Sequence, residues 1–141
     1  MIGTAPGTTS SAFRGATCIL KGPDNGIAGM IDQVACSNLD GGSKVVFYVG
    51  RFTGKSAVDS YLATLVARKY NKQYWTIEKQ RRGLLLTSPS TVKFADVTSS
   101  ICALPQFLVQ FYADTGVTET AIESDYWKKA TFPDSPPAIC S

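Results

Sequence analysis

The sequence predicts an α+β fold: an N-terminal β-hairpin, an antiparallel β-sheet and a C-terminal helix. Three observations predict it. An Asn-Gly turn signal in "PDNG" is flanked by two apolar stretches, residues 16–22 ("ATCILKG") and 27–36 ("IAGMIDQVAC"), and Asn-Gly is a strong hairpin cue because both residues tolerate positive φ. Runs such as "KVVFYVGRF" at 44–52 and "ALPQFLVQFYA" at 103–113 are rich in the β-branched and aromatic residues that suit a pleated surface. From Asp114 and Thr115, "VTETAIESDYWKKA" then carries acids early and Lys128 and Lys129 late, as a helix dipole prefers, with Thr115 or Thr118 able to cap it.

Taken in order, residues 1–15 form a flexible Gly/Ser/Thr arm without the basic-then-apolar pattern of a signal peptide. The hairpin spans 16–36, "SNLDGGS" at 37–43 is a loop, and the sheet spans 44–112. Within the sheet region, 55–69 ("KSAVDSYLATLVARK") reads two ways. Val58, Leu62, Leu65 and Val66 follow a helical stripe, whereas Tyr61, Leu65 and Ala67 also suit one face of a strand. "KYNKQ" supplies a turn. "QYWTIEKQ" then alternates, with Trp75, Ile77 and Lys79 on one side and Tyr74, Thr76, Glu78 and Gln80 on the other. "RGLLLTS" extends this strand past a bend at Gly83, and "PSTVKFADVTSS" is an irregular loop or a short excursion. The helix covers 115–130, and the tail 131–141 holds three prolines that end it. The 141 residues make one domain, without internal repeats.

Composition narrows the chemistry. There is no histidine, which removes the usual general base, the Ser-His and Cys-His nucleophile pairs and most catalytic zinc sites. No catalytic residue, cofactor or metal site is assigned, and the expectation is a protein without enzymatic activity. "GRFTGKS" at 50–56 is one residue short of the P-loop spacing. Glu119 and Glu123 share a helix face beside Asp125 and Lys129, as a solvated surface does. No apolar run approaches the roughly 20 residues of a membrane span, so no membrane partner is expected. Cys18, Cys36, Cys102 and Cys140 lack any CxxC pair. Buried free thiols, two disulfides in any of three connectivities, and bridges between subunits all remain open.

The net charge of +3 is unevenly placed. Residues 51–82 hold eight Lys/Arg against Asp59 and Glu78, while the remainder has six bases and nine acids. A polyanion responds to such a local field rather than to the total. The densest part, "RKYNKQYWTIEKQRR" at 68–82, sets Tyr74 and Trp75 among its cations. Cations for phosphates, polar groups for base edges and an aromatic for stacking are what single-stranded RNA requires. With 61–69 as a strand paired to 72–80, Thr64, Arg68, Tyr74, Thr76 and Gln80 form one patch, with Asn71 and Lys72 at the turn and Tyr74 as the stacking ring; the competing register buries Tyr74 and exposes Trp75. A solvated charged face is the plain alternative.

Three stretches, "ACSNLDGGSKVVFYVGR", "YNKQYWTIEKQ" and "FYADTGVTETAIESDYWKKATFPDSPPAI", spanning most of 33–139, resemble in order and texture the coat proteins of the single-stranded RNA bacteriophages, the levivirus group. The resemblance implies an obligate homodimer whose sheets merge and whose C-terminal helices pack across an intertwined interface. It implies assembly into an icosahedral shell inside the host cytoplasm, residence in the virion, and an inner sheet face that binds genomic RNA, including a stem-loop. The family's polar sheet positions fall near Thr64, Val66 and Arg68 and near Asn71, Tyr74, Thr76 and Glu78; Val66 and Glu78 depart from the polar or basic pattern. Inter-subunit disulfides through Cys102 and Cys140 would follow the family's habit. Two other classes compete: a small secreted toxin or effector stapled by intrachain disulfides, and an RNA-binding module of ferredoxin-like or similar fold, which requires 55–69 to be helical.

Overall fold

The computed structural model describes residues 17–37, 44–77, 79–114 and 116–123. Its strands are β1 (Thr17–Lys21), β2 (Met30–Ser37), β3 (Val46–Phe52), β4 (Asn71–Ile77), β5 (Gln80–Thr87), β6 (Ala95–Ser100) and β7 (Phe107–Ala113). Helix α1 (Lys55–Ala67) lies between β3 and β4, and α2 (Glu119–Ile122) follows β7. The strands form one antiparallel sheet in the order β1-β2-β3-β7-β6-β5-β4. The fold is therefore mostly β. Its element order also differs from the β-α-β-β-α-β of a ferredoxin-like module.

Strand alternation sorts the side chains into two faces. One face carries Cys36, Phe47, Val49, Val97, Val109 and Phe111, all buried, and is closed by Ile101, Leu104, Val117 and Ile122. Phe47 and Phe111 sit opposite each other across the β3–β7 ladder, with ring centroids 4.7 Å apart. The other face carries α1, whose Val58, Leu62 and Leu65 pack on Phe52, Leu86 and Leu108. Away from the helix that second face is polar.

The N-terminal hairpin is present, with Cys18 opposite Cys36 and the two joined by a disulfide. Its connection is longer than a two-residue Asn-Gly turn. The Asp24 carboxylate accepts from Gly26 N at 2.8 Å and Asp24 O accepts from Ile27 N at 3.0 Å. Gly29, at φ 85°, then lies so close to Ala57 that a Cβ there would fall 2.6 Å from the alanine methyl. The loop thus docks on the first turn of α1.

Residues 55–67 are helical, which settles the ambiguous segment against a strand at 61–69. The apolar stripe needs a surface to cover, and Phe52, Leu86 and Leu108 supply it. The helix ends in a Schellman motif: Tyr70 N donates to Leu65 O at 3.1 Å, Lys69 N donates to Val66 O at 3.0 Å, and Lys69 occupies the left-handed position at φ 70°. No glycine marks this stop in the sequence.

Three further expectations are corrected. "QYWTIEKQ" and "RGLLLTS" are not one strand: β4 and β5 pair antiparallel and reverse between Ile77 and Gln80, with Lys79 at φ 66°. Gly83 is not a bend but a position inside β5 opposite Trp75, where a Cβ would collide with the indole and with Ser100 O. "ADVTSS", read as loop, is the sixth strand, between β5 and β7. Its weak signal has a physical origin, since Val97 is its one large apolar residue. Asp96, Thr98 and Ser99 are buried by partners rather than by hydrophobicity.

The C-terminal helix begins later than Asp114. Thr118 is its cap, accepting from Ala121 N at 3.1 Å, and Ile122 packs into the core. The expected arm at 1–15, the loop residues 38–43, the rest of the helix at 124–130 and the tail at 131–141 lie outside the described residues. Among the described residues no helix is long and apolar enough to cross a membrane.

Candidate nucleic-acid interface

The basic ribbon of the sequence becomes the β4–β5 hairpin and the end of α1. Strand β4 is an edge of the sheet, and its residues alternate as the period of two requires. Trp75 turns inward, only 7% exposed, and its Nε1 donates to Ser100 O at 2.9 Å. Tyr74 turns outward at 40% exposed. Lys72 and Tyr74 stand opposite Leu86 and Leu84, on the face that carries α1. The Arg81 guanidinium lies 4.3 Å from the centroid of the Tyr74 ring, a cation–π contact that fixes both groups.

A bulge divides this hairpin. Trp75 opposes Gly83 and Thr76 opposes Arg81, so Arg82 is the extra residue on β5. The bulge turns Arg82 inward, where it is buried and donates to Gln80 Oε1 at 3.1 Å. Arg81 is left outside with Tyr74. The exposed cations of this region are Arg68, Lys69, Lys72, Lys79 and Arg81. By contrast Arg51 is bound to Asp32 at 2.7 Å and Lys55 to Asp59 at 2.5 Å. Asp32 holds the Arg51 guanidinium above its usual pKa through a hydrogen bond and its charge, and Arg51 in turn lowers the Asp32 carboxyl, chiefly through that hydrogen bond. The pairing of Lys55 also gives the P-loop-like segment an ordinary structural use.

The seven expected contact residues are only partly brought together. Lys72, Tyr74 and Thr76 share one strand face. Asn71 begins β4 but faces the opposite side. Gln80 is exposed at the start of β5 and accepts from Arg82. Thr64 and Arg68 do not stand on a paired strand. Thr64 is on the outer surface of α1, its hydroxyl donating to Tyr61 O at 2.6 Å, and Arg68 caps the helix. Thr64 sits roughly 200° around the helix from Val66, and it is Val66 that faces β4. Val66 is 43% exposed and lines a groove of about 220 Å³ with Asp59, Leu62, Ala63, Lys72, Leu84 and Leu86.

Sequence reasoning missed Arg81 as the partner of Tyr74. The signal was available, since Arg81 is basic and close in sequence, but placing it required the reversal at Lys79 and the bulge at Arg82. Among the described residues no cluster of three or more His, Cys, Asp or Glu side chains could hold a metal, and none of the described cysteines is free, Cys102 being disulfide-bonded as well. Comparison of the chain with family models, with curated proteins and with solved structures returns no match.

Proposed function

We propose that this chain is a capsid subunit of a single-stranded RNA bacteriophage, which dimerises, assembles into an icosahedral shell in the host cytoplasm and lines it with RNA-binding groups. The reading rests on the resemblance in the order of parts. The observation that carries its RNA half is the set of three exposed cations, Lys72, Lys79 and Arg81, on the edge hairpin that exposes Tyr74, with Arg68 and Lys69 at the preceding end of α1. Arg68, Lys69, Lys72, Lys79 and Arg81 would neutralise phosphates, and Tyr74, held by Arg81, would stack an unpaired base. One sheet face is closed by the apolar core up to Ile122, which leaves the other to carry polar contacts. The helix at 55–67 changes the earlier assignment of contacts: Thr64 leaves the interface and Arg81 joins it. The C-terminal helix expected from the sequence at 115–130 would complete the dimer.

The test is size-exclusion chromatography of the expressed chain with negative-stain microscopy of early fractions. Uniform closed particles containing RNA are expected. A stable monomer at every protein concentration would overturn the reading.

One observation favours the second reading, a secreted protein stapled by intrachain disulfides. Cys18 and Cys36 are closed on each other within one chain rather than on a neighbouring subunit, and such bonds belong to oxidising compartments. Non-reducing peptide mapping of the purified protein separates the two. Bonds confined to one chain in a monomer support the secreted reading, and cross-linked chains in a particle support the capsid.

A further inference from the structure

On the face that carries α1, the sheet is uncovered between the helix and the β1–β2 loop. This concavity has a volume of about 230 Å³, below the roughly 300–1,000 Å³ of sites for drug-sized ligands. It is separate from the basic hairpin: its walls come from the end of β1, the β1–β2 loop, β2, β3, β6 and β7 and the near side of α1.

Three tyrosines surround it, Tyr48, Tyr61 and Tyr112. Each ring is braced. Lys21 lies 5.8 Å from the Tyr48 centroid, Phe52 is 6.2 Å from Tyr61, and Phe94 is 5.7 Å from Tyr112. Aromatic faces are electron-rich and attract polarised C–H groups.

The floor is chemically biased by a buried carboxylate beneath it. Asp96, 3% exposed, accepts from Thr98 Oγ1 at 2.7 Å, from Tyr70 OH at 2.7 Å and from the Gln110 side chain. Thr98 and Gln110 line the concavity. Thr98 is itself buried, its hydroxyl hydrogen committed to Asp96. Gln110, half-buried, has an amide hydrogen committed to Asp96 and its carbonyl oxygen to offer the concavity. Asp24 adds a carboxylate at the mouth, and Gln33 an amide that donates to Gly22 O at 3.4 Å and can still accept. The wall therefore calls for a ligand with many donors and an apolar ring face. It disfavours a phosphate, because Asp24 lines it and Asp96 and Asp114 are bonded to Thr98 and Tyr112 of its lining, where Lys21 is the cation.

We propose that this concavity binds a neutral pyranose ring, its C–H face on a tyrosine and its hydroxyls donating to Gln110, Gln33 and Asp24. The site does not depend on the RNA reading, and its contacts are different residues.

The experiment is saturation-transfer NMR on the full chain. The probes are the methyl glycosides of glucose, galactose, mannose and N-acetylglucosamine, with adenosine and uridine as competing ligands. At least one glycoside should bind, with Kd on the order of 1 mM. Tyr48→Ala and Gln33→Ala should each weaken it about tenfold, the size of loss that a contact residue gives. Should Tyr48→Ala fail to fold, Gln33→Ala and Tyr61→Phe carry the test, being changes at the rim and of a single hydroxyl. Arg81→Glu, on the far hairpin, should leave glycoside binding unchanged. Transfer from no glycoside, preference for the nucleosides, or binding indifferent to the Tyr48 and Gln33 changes would overturn the proposal.

Discussion

At the scale of single residues, Gly83 and Trp75 show how one position makes room for another. The indole lies over β5 because Gly83 has no Cβ to stop it, and its N–H finds Ser100 O. Gly83→Ala should therefore destabilise the chain by about 1–3 kcal/mol, the usual cost of overpacking, as measured by urea unfolding. That Trp75 and Tyr74 lie on opposite sides was legible from alternation; which of them is buried was not, and it is Trp75. That Arg81 joins Tyr74 was not, because one bulge reverses the sides on which Arg81 and Arg82 lie. Asp96 was equally hidden, since nothing in "FADVTSS" marks a carboxylate satisfied by Tyr70, Thr98 and Gln110. Removing one donor, in Tyr70→Phe, should cost about 1–3 kcal/mol. Burial raises the pKa of Asp96 despite these hydrogen bonds. The folded chain thus holds that proton more tightly than the unfolded one, and this group's contribution to stability falls as pH rises from about 3.9, the unfolded value, towards the folded pKa. Tyr61 is pushed up to about 12, first by burial and then by the charge of Asp96, and Tyr70 is raised by the same causes. Their contributions are complete below about pH 10 and are lost as pH rises through the folded values. Unfolding free energy measured against pH should therefore decline above pH 10, and less steeply in Tyr70→Phe.

At the scale of elements, the sequence determines type well where periodicity and burial agree, and poorly where a neighbour supplies the reason. Strands β3 and β7 announce themselves because their inward residues are aromatic or β-branched. Segment 55–67 carries both periods, and the deciding fact is non-local: Phe52, Leu86 and Leu108 form a patch of the right size for a helix stripe. Its stop is equally silent, since Lys69 takes a position that usually belongs to glycine. Lys69→Gly should stabilise the chain, by up to about 1 kcal/mol, by relieving that backbone conformation. The edge strand β1 is fully exposed, and the disulfide from Cys18 to Cys36 closes the loop that holds it to β2. Closing a loop of this length is worth about 3 kcal/mol in the chain-entropy account. Replacing both cysteines by serine should accelerate amide exchange in 17–21 well before it does so in β3 or β7. Equal acceleration throughout the sheet would mean that the bond supports the whole fold.

At the scale of the whole molecule, the charge is arranged more sharply than the composition suggests. The +3 total conceals five exposed cations, three on the edge hairpin and two at the end of α1, and, across the same sheet face, a concavity lined by Asp24 with Asp96 and Asp114 bonded to residues of its lining. The segregation was legible from the chain as a count of residues in 51–82. The separation of the two regions by α1 was not, because it depends on β3 and β4 lying several strands apart. The most direct test of the RNA-binding claim is the affinity for single-stranded RNA measured by filter binding across a salt series. If all five cations engage phosphates, the logarithm of the association constant should fall against the logarithm of salt concentration with a slope of about −3.5. Lys72→Glu with Arg81→Glu should flatten that slope and weaken binding at low salt. Binding that ignored salt, or that survived the double substitution unchanged, would contradict the account.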